Sequence, residues 1–248
     1  MSLPLADRIA LVTGASRGIG YATALALARA GAHVVAVART VGGLEELDDA
    51  IRKLGGSATL VPLDLKDYDG IGRLAAALDE RYHRLDVLIG NAGIGGPSSP
   101  LGHVEPKAWD DVMAINVTAN WQLIRHFEPL LRASDAGRAV FISSGAAHIA
   151  RAYRGPYAVS KAALEALART FAAETASTHI RVNIFNPGPT RTRMRAAVMP
   201  GEDPMTLPPV EDVAEKIVAL ALPSVTETGR LYDFPTRQMI AYRRPTEA

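Results

Sequence analysis

The chain has 248 residues, is 48% hydrophobic and 21% charged, and carries a formal net charge of +1. That length is ordinary for one α/β domain, and the balanced charge excludes a broadly basic nucleic-acid or membrane-surface protein. There is no cysteine, so disulfides, thiolate nucleophiles and cysteine metal sites are excluded.

Residues 1–8 lead into the first apolar run without the long apolar stretch and small-residue cleavage site of a secretory leader. The most apolar region, 21–38, is interrupted by Arg29, Gly31 and His33 and does not read as a membrane span. A soluble, cytoplasmic protein is expected. Strands are predicted over 9–12, 33–38, 58–63, 85–90, 139–143 and 180–185, and helices over 19–30, 44–54, 71–82, 109–131 and 157–176. Short β-branched runs alternating with longer Ala/Leu-rich segments indicate βαβ units. The strands are near-continuous apolar runs, as expected when helices cover both faces. The expected fold is a single doubly wound α/β domain over 1–248 with a mostly or fully parallel sheet. After Phe185 the alternation weakens, and the proline-rich stretch 186–209 reads as a long irregular segment, of the kind that forms a lid or substrate loop. A helix over 210–220 and a strand over 230–234 close the chain.

The first strand runs into Thr13-Gly14-Ala15-Ser16-Arg17-Gly18-Ile19-Gly20. Glycines here serve a tight turn, a close approach of backbone to a pyrophosphate, and helix–strand packing. The following helix N-terminus offers free N–H groups and a positive dipole end to phosphates. Gly14, Ser16, Arg17, Gly18, Ile19 and Gly20 are therefore candidate dinucleotide-binding residues of a Rossmann fold, although the spacing is G-x-x-x-G-x-G and not G-x-G-x-x-G. The same residues match the G-x-S-x-G nucleophile elbow. Only one strand precedes Ser16, so the earlier strands and oxyanion loop of a hydrolase have no sequence to occupy.

An NAD enzyme of this fold places an acid about 20 residues beyond the glycine turn, on the ribose 2′-hydroxyl. Here the second strand ends in Ala38, Arg39 and Thr40. Arg39 offers a planar fork to a 2′-phosphate, Arg17 approaches from the other side, and Thr40 adds a hydroxyl. NADP(H) is expected as cofactor; the competing reading leaves Arg39 in solvent.

Together with Asn91-Ala92-Gly93, Asn116, Ser144, Tyr157-Ala158-Val159-Ser160-Lys161 and Pro187-Gly188, the glycine turn resembles the short-chain dehydrogenase/reductase family over residues 8 to about 192. The resemblance implies hydride transfer between nicotinamide and a carbonyl or secondary alcohol. It makes Tyr157 the acid/base and Ser144 the partner of the substrate oxygen. Lys161 would hold the nicotinamide ribose, and Asn116 would anchor a proton-relaying water. It puts Asp64, Leu65, Asn91, Ala92 and Gly93 on the adenosine side, and Pro187, Gly188, Thr190 and Thr192 against the carboxamide. A small-molecule substrate and a homodimer or homotetramer pairing through helices 109–131 and 157–176 follow from the same resemblance, with no nucleic-acid or membrane partner.

The chemistry can also be argued from the residues. Pro156 suits a first helical position, so Tyr157 and Lys161 stand one turn apart on one face. A nearby ammonium favours the phenolate, and bringing a phenol from near 10 to near 7 takes roughly 4 kcal/mol. Ser144 follows the predicted strand 139–143 at the sheet edge where open α/β folds bind ligands, and its hydroxyl, or that of neighbouring Ser143, can steady charge on the substrate oxygen. The resemblance to the family, through its usual separation from the tyrosine, picks Ser144. Taken alone, the Tyr–Lys pair reads as a surface pair, Asn116 as a core amide and Asp64 as a helix N-cap. His33, His83, His103, His126, His148 and His179 show no metal-ligand spacing, and no metal is expected. His148 reads either as a wall of the substrate site or as a surface loop residue. Arg191, Arg193 and Arg195 are candidates for solvent, the cofactor phosphates or an anionic substrate group. The ending Arg230-Leu231-Tyr232-Asp233-Phe234-Pro235 departs from the Asp-Gly-Gly common in the family. The alternative function is a catalytically silent cofactor-binding regulator of the same fold, which would be free to lose Asn116, Ser144, Tyr157 or Lys161; all four are present.

Overall fold

The computed structural model describes residues 3–242. Eight strands form one sheet in the order β3-β2-β1-β4-β5-β6-β7-β8. They are β1 (Ile9–Thr13), β2 (His33–Ala38), β3 (Ala58–Pro62), β4 (Val87–Gly90), β5 (Arg138–Ile142), β6 (Arg181–Asn186), β7 (Arg230–Asp233) and β8 (Gln238–Ala241). The first seven run parallel and β8 pairs antiparallel to β7. The helices are α1 (Gly18–Arg29), α2 (Val41–Lys53), α3 (Tyr68–Tyr82), α4 (Pro106–Met113), α5 (Ala119–Ala133), α6 (Gly155–Glu174), α7 (Arg193–Val198) and α8 (Val210–Leu220).

The apolar runs are continuous because each strand feeds two cores. In β1, Ile9 and Leu11 pack with Ile71, Phe127 and Leu164 of α3, α5 and α6. Ala10 and Val12 pack with Leu27, Leu44 and Ile217 of α1, α2 and α8. Successive side chains of a strand point to opposite faces, so both parities must be apolar. The chain moves outward from β1 to β3, then returns to place β4 on the other side of β1. That reversal opens a crevice beyond the carboxyl ends of β1 and β4.

The predicted helix 109–131 is interrupted. Between α4 and α5 lies one π-helical turn, Ala114–Thr118, in which Ala119 N–H donates to Ala114 O. The wider turn carries Asn116, whose side chain bonds the backbone of Ile94. Helix α6 begins at Gly155, two residues before the predicted start. Within 186–209 the structure forms α7 and a 3₁₀ turn at Pro204–Thr206. Strand β8 was not predicted: its four residues have little periodicity, and its partner lies on the adjacent β7. Among the described residues, no helix is long and apolar enough to cross a membrane.

Asp86, buried just before β4, accepts from Ile9 N (2.8 Å), Ser134 Oγ (2.6 Å), Arg8 Nη1 (2.9 Å) and Arg84 Nε (3.2 Å). It ties the start of β1 to the loop before β5. Asp86→Ala leaves a buried N–H and hydroxyl without an acceptor. It is expected to lower the unfolding free energy by about 2–3 kcal/mol, read from urea denaturation.

Candidate active site

The crevice is shaped first by Thr13. Its Oγ1 donates to Ile89 O (3.2 Å) and accepts from Asn91 N (3.0 Å) and Ala92 N (3.1 Å), locking the ends of β1 and β4 together. Asn91 Nδ2 donates to Thr13 O at 2.8 Å and braces the glycine turn from behind. A Cβ at Gly14 would stand 2.8 Å from that nitrogen, and one at Gly20 would stand 2.4 Å from Gly14 O. These two glycines let the turn close on β4. Gly18, at φ +60°, faces open space with Thr192 Cγ2 as the nearest atom at 3.8 Å. Helix α1 starts there with no side-chain cap and no acid in its first turn, so its N–H groups remain free for an anion. Helix α2 approaches the same turn: a Cβ at Gly43 would meet Ser16 O at 2.7 Å. Its N-terminus, beginning after Thr40, also lacks a side-chain cap.

Arg17, Arg39 and Thr40 are exposed around this turn, with Ile19 half-buried below. The Arg39 side chain is 61% exposed and its nearest carboxylate is Asp64, at 3.8 Å. Asp64 is not a helix N-cap. It accepts from Lys66 N two residues on, and the cap of α3 is Asp67, which accepts from Gly70 N. Leu65 beside it is buried.

The opposite wall is α6. Tyr157 lies in its first turn, and burial pushes the phenol above its ordinary value, while the neighbouring Ser144 hydroxyl and the Arg154 guanidinium pull it partly back. The Arg154 guanidinium sits 5.1 Å and Lys161 Nζ 5.8 Å from the ring centroid. Sequence reasoning gave the favouring charge to Lys161 together with the oxidised nicotinamide ring. In the structure the Lys161 ammonium donates to Ile142 O at 2.7 Å, and the Arg154 guanidinium also draws the phenol down. Lys161 is 4% exposed; burial pushes it down to about 8, against the pull of Glu165.

Asn116 is wholly buried. Its Oδ1 accepts from Ile94 N (2.9 Å), and its Nδ2 donates to Ile94 O (3.0 Å) and Ser160 Oγ (2.9 Å). Ser160 in turn donates to Tyr157 O at 2.8 Å. A Cβ at Gly93 would lie 3.2 Å from Asn116 Oδ1 and 3.5 Å from Lys161 Nζ. The small residue lets the loop after β4 pass between the two. The amide is thus a satisfied core group and a brace between that loop and α6.

Across the crevice, Gly188 takes φ +63° against Pro235, and buried Thr190 donates to Pro187 O at 3.2 Å. Thr192 Oγ1 caps α7 by accepting from Arg195 N. The three arginines divide. Arg191 donates to the carbonyls of Pro204 and Leu207, and Arg195 makes two 2.6 Å bonds to Glu202. Both staple their own segment together. Only Arg193 of the three is exposed, beside a cavity of about 290 Å³ lined also by Met199 and Leu207. His148 is exposed, and its Nε2 lies 3.1 Å from Glu165 Oε2. Among the described residues, no group of His, Asp and Glu could hold a metal ion. Sequence reasoning missed Glu165, although it lies four residues after Lys161 and so on the same helix face.

Residues 8–203 match the short chain dehydrogenase family. The chain belongs to that family. It is 41% identical over 212 residues to an uncharacterized oxidoreductase, YciK, of Escherichia coli K12, covering 84% of each chain. It is 39% identical over 210 residues to a 3-oxoacyl-[acyl-carrier-protein] reductase of rhamnolipid biosynthesis from Pseudomonas aeruginosa, covering 82% of this chain and 80% of that one. Among solved structures, a short chain dehydrogenase from Shigella flexneri complexed with NADP superposes with a TM-score of 0.89. Its sequence is 38% identical, over 95% of this chain and 100% of its own. A short chain dehydrogenase of Escherichia coli CFT073 complexed with NADPH gives 0.88 at 38% identity, over 94% and 99%. The chain therefore has the fold of these dehydrogenases.

Proposed function

We propose that this short-chain dehydrogenase is an NADP(H)-dependent oxidoreductase acting on a small-molecule carbonyl or secondary alcohol, with Tyr157 as acid/base. One observation carries the reading. The Tyr157 phenol, whose titration the neighbouring Ser144 hydroxyl affects, stands one turn from the Lys161 ammonium, across a sheet-edge crevice from an open glycine turn. A dinucleotide fits the residues present: the free N-terminus of α1 suits a pyrophosphate, and exposed Arg17, Arg39 and Thr40 suit a 2′-phosphate.

When bound, the nicotinamide supplies or accepts the hydride. Ser144 orients the substrate oxygen and Tyr157 gives it a proton during reduction, taking it back during oxidation. Lys161, anchored on Ile142 O, presents its remaining N–H groups to ribose hydroxyls, and Asn116 holds the loop after β4 beside it. Asp64, Leu65 and the Asn91-Ala92-Gly93 turn would hold the adenosine side, and the Pro187-Gly188 turn with the Thr190 backbone and the Thr192 hydroxyl would hold the carboxamide. Residues 186–209 form the substrate loop, with Arg193 its exposed arginine.

NADPH oxidation measured against a panel of aldehydes, ketones and diketones tests the assignment. Turnover of at least one carbonyl is expected. Tight NADPH binding without turnover of any would instead favour a silent regulator.

Self-association is part of the proposal. Trp121 on α5 is 44% exposed and Val159 on α6 is 42% exposed, large apolar groups on the two helices through which the family pairs. Light scattering at micromolar concentration is expected to give a dimer or tetramer; a monomer would remove the pairing.

A further inference from the structure

We infer that Glu165 is a positioning residue for this site: one buried carboxylate pins both flanks of the loop that carries Ser144, and Tyr242 ties the C-terminal segment to the same anchor. The inference rests on the oxidoreductase reading above and deepens it.

Glu165 stands one turn beyond Lys161 on α6 and is 3% exposed. Its Oε1 accepts from Ser143 Oγ at 2.5 Å. Its Oε2 accepts from the Tyr242 hydroxyl at 2.7 Å and lies 3.1 Å from His148 Nε2. Ser143 immediately precedes Ser144, and His148 immediately follows the 3₁₀ turn Gly145–Ala147 that Ser144 caps. A single side chain therefore holds the loop at its entry and its exit. That side chain belongs to the helix that also carries Tyr157 and Lys161, so the Ser144–Tyr157 distance is set within one rigid unit.

The anchoring has a physical reason to be needed. Ser144 Oγ accepts only a 3.2 Å bond from Ala146 N within its own turn, too little to fix the hydroxyl against the phenol. A carboxylate removed from water is tolerated when its lone pairs are filled. Here the donors come from the segment after β5 and from the residue after β8. The Tyr242 ring is held in place by the Arg169 guanidinium, 4.2 Å from its centroid, and lies 6.4 Å from the His148 ring. The β7–β8 pair thus delivers a hydroxyl to the back of the active-site wall.

Glu165→Gln retains the size of the side chain but removes the charge and turns one acceptor end into a donor, so Ser143 or the Tyr242–His148 side must reverse its hydrogen bond and both lose a charge-assisted one. Wild type, Glu165→Gln, Tyr242→Phe, Ser144→Ala and Ser144→Ala/Glu165→Gln are compared as full chains. Two readouts are used: NADPH-dependent reduction of the best carbonyl in the panel, and hydrogen–deuterium exchange of the ligand-free protein. Glu165→Gln is expected to lower kcat about tenfold with KM for NADPH within about twofold, and to add less than about twofold in the Ser144→Ala background. Exchange across 143–149 is expected to speed up while β2 stays protected. Tyr242→Phe is expected to show the same pattern at about threefold. Unchanged exchange across 143–149 overturns the inference, and so does an equal loss in both backgrounds, which marks a merely structural role. Should Glu165→Gln fail to fold, Tyr242→Phe decides by the same exchange readout and by its own kcat and KM. If no carbonyl in the panel turns over, exchange alone decides. An inert Tyr157→Phe beside an unaltered Glu165→Gln sinks this inference alone; an active Tyr157→Phe sinks the reading beneath it.

Discussion

Tyr157→Phe is expected to reduce carbonyl turnover by at least ~10²-fold, the low end for a positioned acid or base, while leaving NADPH affinity within about twofold. The substitution removes only the phenolic hydroxyl. The ring that Arg154 and Lys161 flank at 5.1 and 5.8 Å remains, so the fold of α6 has no reason to change. Burial holds the phenol above its ordinary value in the ligand-free protein, so at neutral pH Tyr157 carries its proton and is ready to donate. Reduction is the direction in which the loss should be read. Steady-state NADPH oxidation and a fluorescence titration of NADPH check both halves. A Tyr157→Phe enzyme with half the wild-type rate on its best substrate would show that the proton comes from elsewhere.

The wild-type enzyme is expected to prefer NADPH over NADH by at least tenfold in kcat/KM, or ~1.4 kcal/mol. Strand β2 ends at Ala38, where an NAD enzyme would carry its acid, and the side chains next to it are Arg39 and Thr40. Arg39 is largely in solvent, and a 3.8 Å pair with half-exposed Asp64 holds it weakly, so it is free to turn onto a 2′-phosphate. Arg17 is exposed at the lip of the glycine turn. Ala38→Asp with Arg39→Leu puts a carboxylate near the ribose and removes the guanidinium; that double variant is expected to invert the preference. Rates with both cofactors at several concentrations measure it. Equal use of NADH by the unmutated enzyme would overturn the assignment.

The layered sheet, the glycine turn and the shared helix face of Tyr157 and Lys161 were legible in the residues because each depends on local pattern, whereas Ser144 was separated from Ser143 only by the family's spacing. A parallel strand between two helical layers must be apolar at both parities, and a turn that closes on β4 cannot carry a Cβ at Gly14 or Gly20. A Tyr and a Lys four apart on a helix share a face whatever surrounds them. What the sequence left open depends on pairings between distant segments. The π turn at Asn116 exists where its amide meets the backbone of Ile94, 22 positions earlier. Arg191 and Arg195 looked equivalent to Arg193, and only the return of the chain to Glu202, Pro204 and Leu207 commits them to their own segment. Asp64 lost the cap of α3 to Asp67, whose side chain reaches Gly70 N–H. Glu165 looked like one more charge on a helix until Tyr242, 77 positions away, closed over it. The hydrophobic period determines which elements form and which faces they bury; which polar groups meet across those faces is decided by tertiary packing, because a hydrogen bond needs its partner within about 3 Å, wherever in the chain that partner lies.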